Sequence, residues 1–473
     1  MIRKNLLISF FLGIFILSGC ATTPKTVDPR TLSFAPLQFV IPKSERVTLK
    51  NGMILYLLED HELPLVNMTS YIKTGSIYEP PDMTGLAGLT GTLIRGGGTT
   101  TIKPDALDAE LEFMASGIES GISDDSGSLS MSTLAKNLDR TLALYADVLI
   151  NPGFDQSRVE LTRKNTIDAI RRQNDDPKGI ASRELIRALY ANHPLGRVAT
   201  IESVNRISRD DMLAFHKRYF RPQGMILAIS GDFSSKDLVA KLEQLFGKWQ
   251  PEEQHTPTVS QPDPSPKQQT LLARKQVSQS VIRMGHLGLD KNNPDQYSVR
   301  VMDYILGGGF TSRLTQEIRS NQGLAYHAGS RFDIGRRFPG TFIAETETKS
   351  ATTAKAITLM RNIIAGMTKE AVSDEELNQA KESIINSFIF GFARADSIVT
   401  QQARLEYYGF PERYLENFRD NIAKVSRDDV LRVARKYLHP EALTIMVVGD
   451  DSKFDQPLSV FGEVKEIKLD TTK

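Results

Sequence analysis

The chain is 473 residues long, 40% hydrophobic and 24% charged, with a formal net charge of +1. That length supports about three domains of ~150 residues each, with substantial cores. The near-neutral balance leaves no electrostatic footprint for nucleic acid, and short basic runs such as Arg336-Arg337 and Arg432 to Lys436 read as solvated turn or helix faces.

Taken in chain order, the amino terminus is a processing segment rather than part of the fold. Arg3 and Lys4 precede an apolar run, Leu6 to Leu17, that is too short to span a bilayer, and Leu17-Ser18-Gly19-Cys20 follows. This pattern resembles a bacterial lipoprotein signal, which predicts that residues 1–19 are removed and that Cys20 becomes the lipidated first residue. Cys20 is the only cysteine, so it has no disulfide partner. Ala21 stands where an aspartate would favour the inner membrane, so the expected location is the outer membrane, facing the periplasm. Residues 20–42, with Pro24, Pro29 and Pro36, read as a tether.

Strand-like runs at Arg46 to Lys50 and Met53 to Leu58 flank the turn pair Asn51-Gly52. A strand at Leu65 to Lys73, a helix containing Gly85 to Ile94 and a helix over 105–116 come next. Gly121 to Thr133 alternates as a strand does. Helices at about 135–149 and 156–173 carry the 3.6-residue apolar period, and Asn174-Asp-Asp-Pro177 breaks the second. His193-Pro-Leu-Gly196, a helix over 208–219 and an apolar strand at Met225 to Ser230 follow.

An internal repeat organises the whole. Ser208-Arg-Asp-Asp-Met-Leu, Tyr219, Pro222 and Gly231-Asp-Phe-Ser234 recur as Ser426-Arg-Asp-Asp-Val-Leu, Tyr437, Pro440 and Gly449-Asp-Asp-Ser452, at a constant offset of 218 residues. In both copies a capped helix, a proline turn and a buried strand end on Gly-Asp. The chain is therefore a duplication. Its domains are 43–250 and 270–465, joined by the proline-rich linker 251–269. The second copy opens with a strand at Gln279 to Met284 and a helix at Asp295 to Leu306.

The seven histidines are His61, His193, His216, His255, His286, His327 and His439, and no two lie within a few helical turns. A compact His/Cys metal site on one element is excluded. The glycine-rich stretch Gly85 to Gly98 lacks the lysine and Ser/Thr of a phosphate loop.

Two motifs carry a family resemblance. Met83-Thr-Gly-Leu-Ala-Gly-Leu-Thr-Gly-Thr-Leu-Ile-Arg-Gly-Gly-Gly-Thr-Thr100, preceded by Pro64-Leu-Val-Asn-Met-Thr-Ser-Tyr-Ile-Lys-Thr-Gly-Ser76, resembles the first active-site helix of the pitrilysin/insulinase zinc metallopeptidases. There the motif is Gly-Leu-Ala-His-x-x-Glu-His, with two zinc-binding histidines and a general-base glutamate. Gly85-Leu86-Ala87 match, and the chemical positions fall on Gly88, Gly91 and Thr92, small residues on one helical face. The family's third ligand, a glutamate, falls on Ala169, beside Asp168, and a substrate-aligning asparagine falls on Glu119. The second motif, Leu306-Gly-Gly-Gly-Phe-Thr-Ser-Arg-Leu-Thr-Gln-Glu-Ile-Arg-Ser-Asn-Gln-Gly-Leu-Ala-Tyr326, is similar to the family's second-half signature and retains its functional pair, Arg319 and Tyr326.

The resemblance implies an α+β fold of two homologous domains, each a mostly antiparallel sheet backed by helices, together forming half of a clam-shell. It implies the zinc-less subunit type, as in two-subunit bacterial members and the alpha type of mitochondrial processing peptidase. Arg319 and Tyr326 would then act in trans, Gly307, Gly308, Gly309 and Glu119 would contact peptide, and no cofactor would be held by this chain, the zinc belonging to a homologous partner subunit in a heterodimer. The alternative is a peptide-binding or scaffold lipoprotein without proteolytic role. A third possibility, a self-sufficient hydrolase built on Glu119, Asp124 and Asp125, competes with an exposed turn and has no histidine near it in sequence.

Overall fold

Each strong local signal in the sequence becomes an element in the computed structural model, which describes residues 39–250, 256–265 and 267–469. Cys20 and the signal segment lie outside the described residues. In the first half, β1 (Glu45–Thr48), β2 (Ile54–Glu59) and β3 (Leu65–Ile72) lead into α1 (Leu86–Gly96) and α2 (Pro104–Phe113). The hairpin β4 (Gly117–Ile122) and β5 (Gly127–Leu134) follows, then α3 (Leu138–Ile150), α4 (Gln156–Arg172), α5 (Pro177–Tyr190), α6 (Ile201–Arg206), α7 (Arg209–Tyr219), β6 (Ile226–Gly231) and α8 (Ser235–Phe246). The second half contains β7 (Gln269–Arg274), β8 (Gln279–Leu287), α9 (Gln296–Asp303), β9 (Ala328–Phe332) and β10 (Thr341–Lys349). It continues with α10 (Thr353–Lys369), α11 (Asp374–Phe388), α12 (Ala395–Tyr408), α13 (Tyr414–Ala423), α14 (Arg427–Tyr437), β11 (Thr444–Gly449) and β12 (Val464–Glu466).

Two six-stranded sheets result, ordered β1-β2-β6-β3-β5-β4 and β12-β7-β11-β8-β10-β9. The pairs β2 with β6, β7 with β11 and β7 with β12 are parallel and the others antiparallel. The repeat is structural as well as sequential: α5, α7 and β6 recur as α12, α14 and β11 at the same 218-residue offset, with identical lengths. Reciprocal capping starts both repeat helices. The Ser208 and Ser426 hydroxyls accept the N–H groups of Asp211 and Asp429 at 3.2 and 3.1 Å, and those carboxylates accept the serine N–H groups in return.

β6 and β11 are buried along their whole length, because each sheet is covered on both faces. One cover is exchanged between the halves. Ile180, Ala181 and Leu185 of α5 pack on Leu271, Val281 and Met446 of the second sheet, while Val399, Ala403 and Tyr407 of α12 pack on Ile226 and Ala228 of the first. Repeat-related tyrosines end both helices. Tyr190 donates its O–H to the Pro339 carbonyl, in the turn between β9 and β10, at 2.9 Å, and Tyr408 donates to the Asp125 carboxylate, in the turn between β4 and β5, also at 2.9 Å.

Three expectations are corrected here. Gly121 to Thr133 is not one strand, because Ser123 N–H bonds Ser126 O and turns the chain between β4 and β5. Asp125 is buried rather than in an exposed turn, and Arg336-Arg337 is not a free basic surface. The Arg336 guanidinium lies 4.5 Å over the Tyr408 ring and 3.5 Å from Asp125, and that of Arg337 lies 5.2 Å over the Tyr407 ring. The linker is also pinned: Leu195 N–H donates to His193 Nδ1, so His193 Nε2 carries the hydrogen that bonds Ser260 O at 3.0 Å, while Pro262 is buried.

Candidate functional site: the vacated metal helix and the Arg319 clamp

The metal-type helix α1 is started from outside itself. Gly85 precedes it at φ +109, a left-handed conformation that suits glycine, and offers no capping side chain. Glu79, 5% exposed, reaches over from the preceding turn and accepts the N–H groups of Gly85 at 3.1 Å and Ala87 at 2.5 Å. Burial pushes its carboxyl up to about 7, although both N–H groups favour the anion.

Gly88, Gly91 and Thr92 do not share one environment. Gly88 and Thr92 are exposed, nothing lies within 4 Å of a Cβ built on Gly88, and the Thr92 hydroxyl donates to Gly88 O at 3.1 Å. Gly91 is buried, and a Cβ there would lie 2.5 Å from the Ile122 backbone nitrogen. β4 is fastened in that position by Ser120, whose hydroxyl donates to Gly91 O at 2.5 Å and accepts Arg95 N–H at 3.2 Å. Glycine at 91 is therefore required by the close approach of helix and strand. The reading of Gly88, Gly91 and Thr92 as small residues sharing one helical face is corrected at this position.

The residues present do not fit a zinc ion. Two glycines and a threonine provide no imidazole, thiolate or carboxylate. Ala169 is exposed on α4 without a donor, and its neighbour Asp168 is paired with Arg171 at 3.0 Å. Among the described residues no group of three His, Cys, Asp or Glu side chains can hold a metal. The acidic run is not a catalytic cluster either, since Asp125 is engaged by Tyr408 and Arg336. Glu119 is exposed on the edge strand β4 and borders a hollow of about 260 Å³ together with Asn67, Ser130 and Asp396.

In the second half α9 widens into a π-turn at Tyr304–Gly308, and after a break at 309–312 a second π-turn covers Thr315–Asn321, with Gly309 N–H bonding Tyr304 O at 2.9 Å and Gln322 N–H bonding Glu317 O at 3.0 Å. Such wide turns are rare and concentrate at functional sites. Gly307 is held against β9, where a Cβ would come 2.1 Å from Ser330 N, and a Cβ on Gly309 would come 2.7 Å from the Tyr304 ring. Only Gly308 of the three is exposed, so packing accounts for Gly307 and Gly309.

Arg319 and Tyr326 do come together. The guanidinium lies 5.2 Å from the centroid of the Tyr326 ring and 5.2 Å from that of the Phe310 ring. The rings are 88% and 76% exposed, and among the described residues no carboxylate pairs with Arg319. Phe310 was not singled out in the sequence. Its only signal there is a large aromatic directly after three glycines. Glu79 was also missed, because a cap seven residues before the helix has no local pattern.

Residues 56–200 match the family described as Insulinase (Peptidase family M16), and residues 206–384 match the Peptidase M16 inactive domain. A Helicobacter pylori protein called "Non-peptidase homolog YmxG" is 23% identical over 95% of this chain and 99% of its own. An uncharacterized zinc protease of Mycobacterium leprae is 26% identical over 65% and 69%. The crystal structure of a peptidase M16 inactive domain from Pseudomonas fluorescens superposes with a TM-score of 0.77 at 24% identity, covering 86% of this chain and 98% of that one. The chain belongs to the M16 insulinase family, as a homologue whose metal-ligand positions have no ligating side chains.

Two stability predictions follow from α1. Gly91→Ala should destabilise by roughly 1–3 kcal/mol through overpacking, whereas Gly88→Ala should stabilise by roughly 0.5–1 kcal/mol through helix propensity. Urea unfolding decides, and equal effects at both sites would refute the close-approach account. For Glu79, a folded-state pKa raised from 4.5 to about 7 means that the folded state binds the extra proton between these values. Its contribution is full below pH 4.5 and should fall by roughly 3 kcal/mol as pH rises to about 7. Glu79→Gln should flatten that slope. Parallel pH profiles for the parent and the variant would contradict it.

Proposed function

We propose that this chain is the non-catalytic member of a two-subunit peptidase, presenting Arg319 and Tyr326 to peptide bound by a zinc-bearing homologous partner. The observation that carries this is the approach of Phe310 and Tyr326 to the Arg319 guanidinium, which has no carboxylate partner among the described residues and lies next to an exposed phenol, in a chain whose helix α1 offers no metal-ligating side chain at Gly88 or Thr92. A guanidinium grips carbonyl or carboxylate oxygens with several N–H donors, and a phenol can donate to an oxygen on which negative charge develops. Neither group cleaves a peptide unaided, so their chemical use requires a partner active site. We also propose that Cys20 carries a lipid holding the chain at the outer membrane, facing the periplasm.

Activity should appear only when this chain is mixed with its zinc-bearing homologue. Tyr326→Phe should leave assembly intact and lower turnover by about 10²-fold to 10³-fold, the usual loss of one oxyanion donor. Arg319→Ala should raise KM as well, because a charged grip also acts in the ground state. Peptidase assays of the reconstituted pair on a mixed peptide pool, with assembly checked by sizing, measure both. Parent-like cleavage by both variants would leave the peptide-binding scaffold as the better account. Separately, Cys20→Ser should move the protein from the membrane to the soluble fraction on cell fractionation, and unchanged membrane association would refute the lipid anchor.

A further inference from the structure

A cavity of about 1290 Å³ lies between the end of α4, the exposed flank of α5, the 191–206 segment and the C-terminal stretch at Lys468 and Leu469. It exceeds the ~300–1,000 Å³ usual for a small-molecule site, and polar and apolar side chains share its lining, as suits an extended peptide.

Two carboxylates face the cavity and both are engaged. Buried Glu184 ion-pairs Arg183 at 2.9 Å and lies 3.7 Å from Arg187, and Glu202 pairs Arg206 at 2.5 Å. Arg183 is further fixed by the Gln173 carbonyl and the Asn174 side chain, so its role is structural. Three cations remain without a carboxylate of their own. Arg187 shares Glu184 and is 64% exposed, and Arg197 donates one N–H to the Glu79 carbonyl at 3.0 Å. Lys468 has no ion-pair partner among the described residues and is exposed.

We infer that this cavity binds an acidic peptide segment, with Arg187, Arg197 and Lys468 meeting its carboxylates. A cationic excess in a concave wall attracts such a segment from solution and selects it over a basic one. The choice of peptide as ligand rests on the function proposed above. The position of the cavity, beside Thr84 at the entry to α1, would let a peptide held here run along the vacated metal helix.

The test uses the full mature chain and three labelled peptides of equal length, bearing glutamate, glutamine or lysine at alternate positions, followed by fluorescence anisotropy. The glutamate peptide should bind most tightly and weaken as salt is raised. Reversing two exposed cations together, Arg187→Glu with Lys468→Glu, should weaken it by about 10-fold, as expected for two lost charge contacts. Lys217→Glu with Lys236→Glu, the same change in net charge away from the cavity, should leave it unchanged.

Equal affinity for the glutamate and lysine peptides, an unaffected cavity variant, or equal weakening by the distant pair would each overturn the inference. The two proposals fail separately. If acidic peptide binds through the cavity while Arg319 and Tyr326 variants of the reconstituted pair cleave like the parent, the cavity stands and the joint peptidase falls. If those variants are impaired and the cavity variant is silent, the reverse holds.

Discussion

The exchange of α5 and α12 between the halves is the constraint on which the rest depends. Each helix covers the open face of the other half's sheet, so neither sheet can be buried without the opposite half in place. The buried strands β6 and β11 are apolar on both faces for this reason, and a half standing alone would expose one of those faces to water. The tyrosines at the ends of these helices then fix the hairpin turn of the half on which each helix lies. Tyr190 and Tyr408 occupy equivalent repeat positions and hold opposite turns.

The exchange reaches the candidate site through β4. Tyr408 and Tyr407 anchor the turn beyond that strand, Ser120 bonds it to α1, and the closeness of the contact excludes any side chain at Gly91. Position 91 is therefore closed by packing, not left as an empty pocket. Gly88 and Thr92, on the open side, are free of that constraint.

Electrostatics divides the molecule into satisfied and unsatisfied charge. Asp125 is enclosed by Tyr408, Arg336 and Arg337, Asp295 accepts from Arg432 and Lys436, and Glu376 receives Arg313 through two N–H bonds. Arg319, by contrast, has no carboxylate partner among the described residues and lies over two aromatic rings. Ring contacts orient the group while leaving its N–H donors without a carboxylate among the described residues, the arrangement needed to grip an oxygen arriving from elsewhere.

Much of this was legible in the sequence. The 218-residue repeat, the capped helices and the identities at Gly88, Gly91 and Thr92 follow from residue types at fixed spacing, because caps, turns and ligand chemistry are local properties. The pairing of Arg319 with Tyr326 was likewise expected from a motif spanning a few residues. What the sequence could not supply are contacts between segments distant along the chain: Glu79 over the start of α1, Phe310 against Arg319, the closure of β4 on Gly91, and Asp125 beneath Tyr408. Arg336-Arg337 read as solvated for the same reason, since the rings that cover them lie about 70 residues later in the chain. Whether a small residue is tolerated or required, and whether a charge is free or paired, depends on what packs against it, and only the tertiary structure decides that.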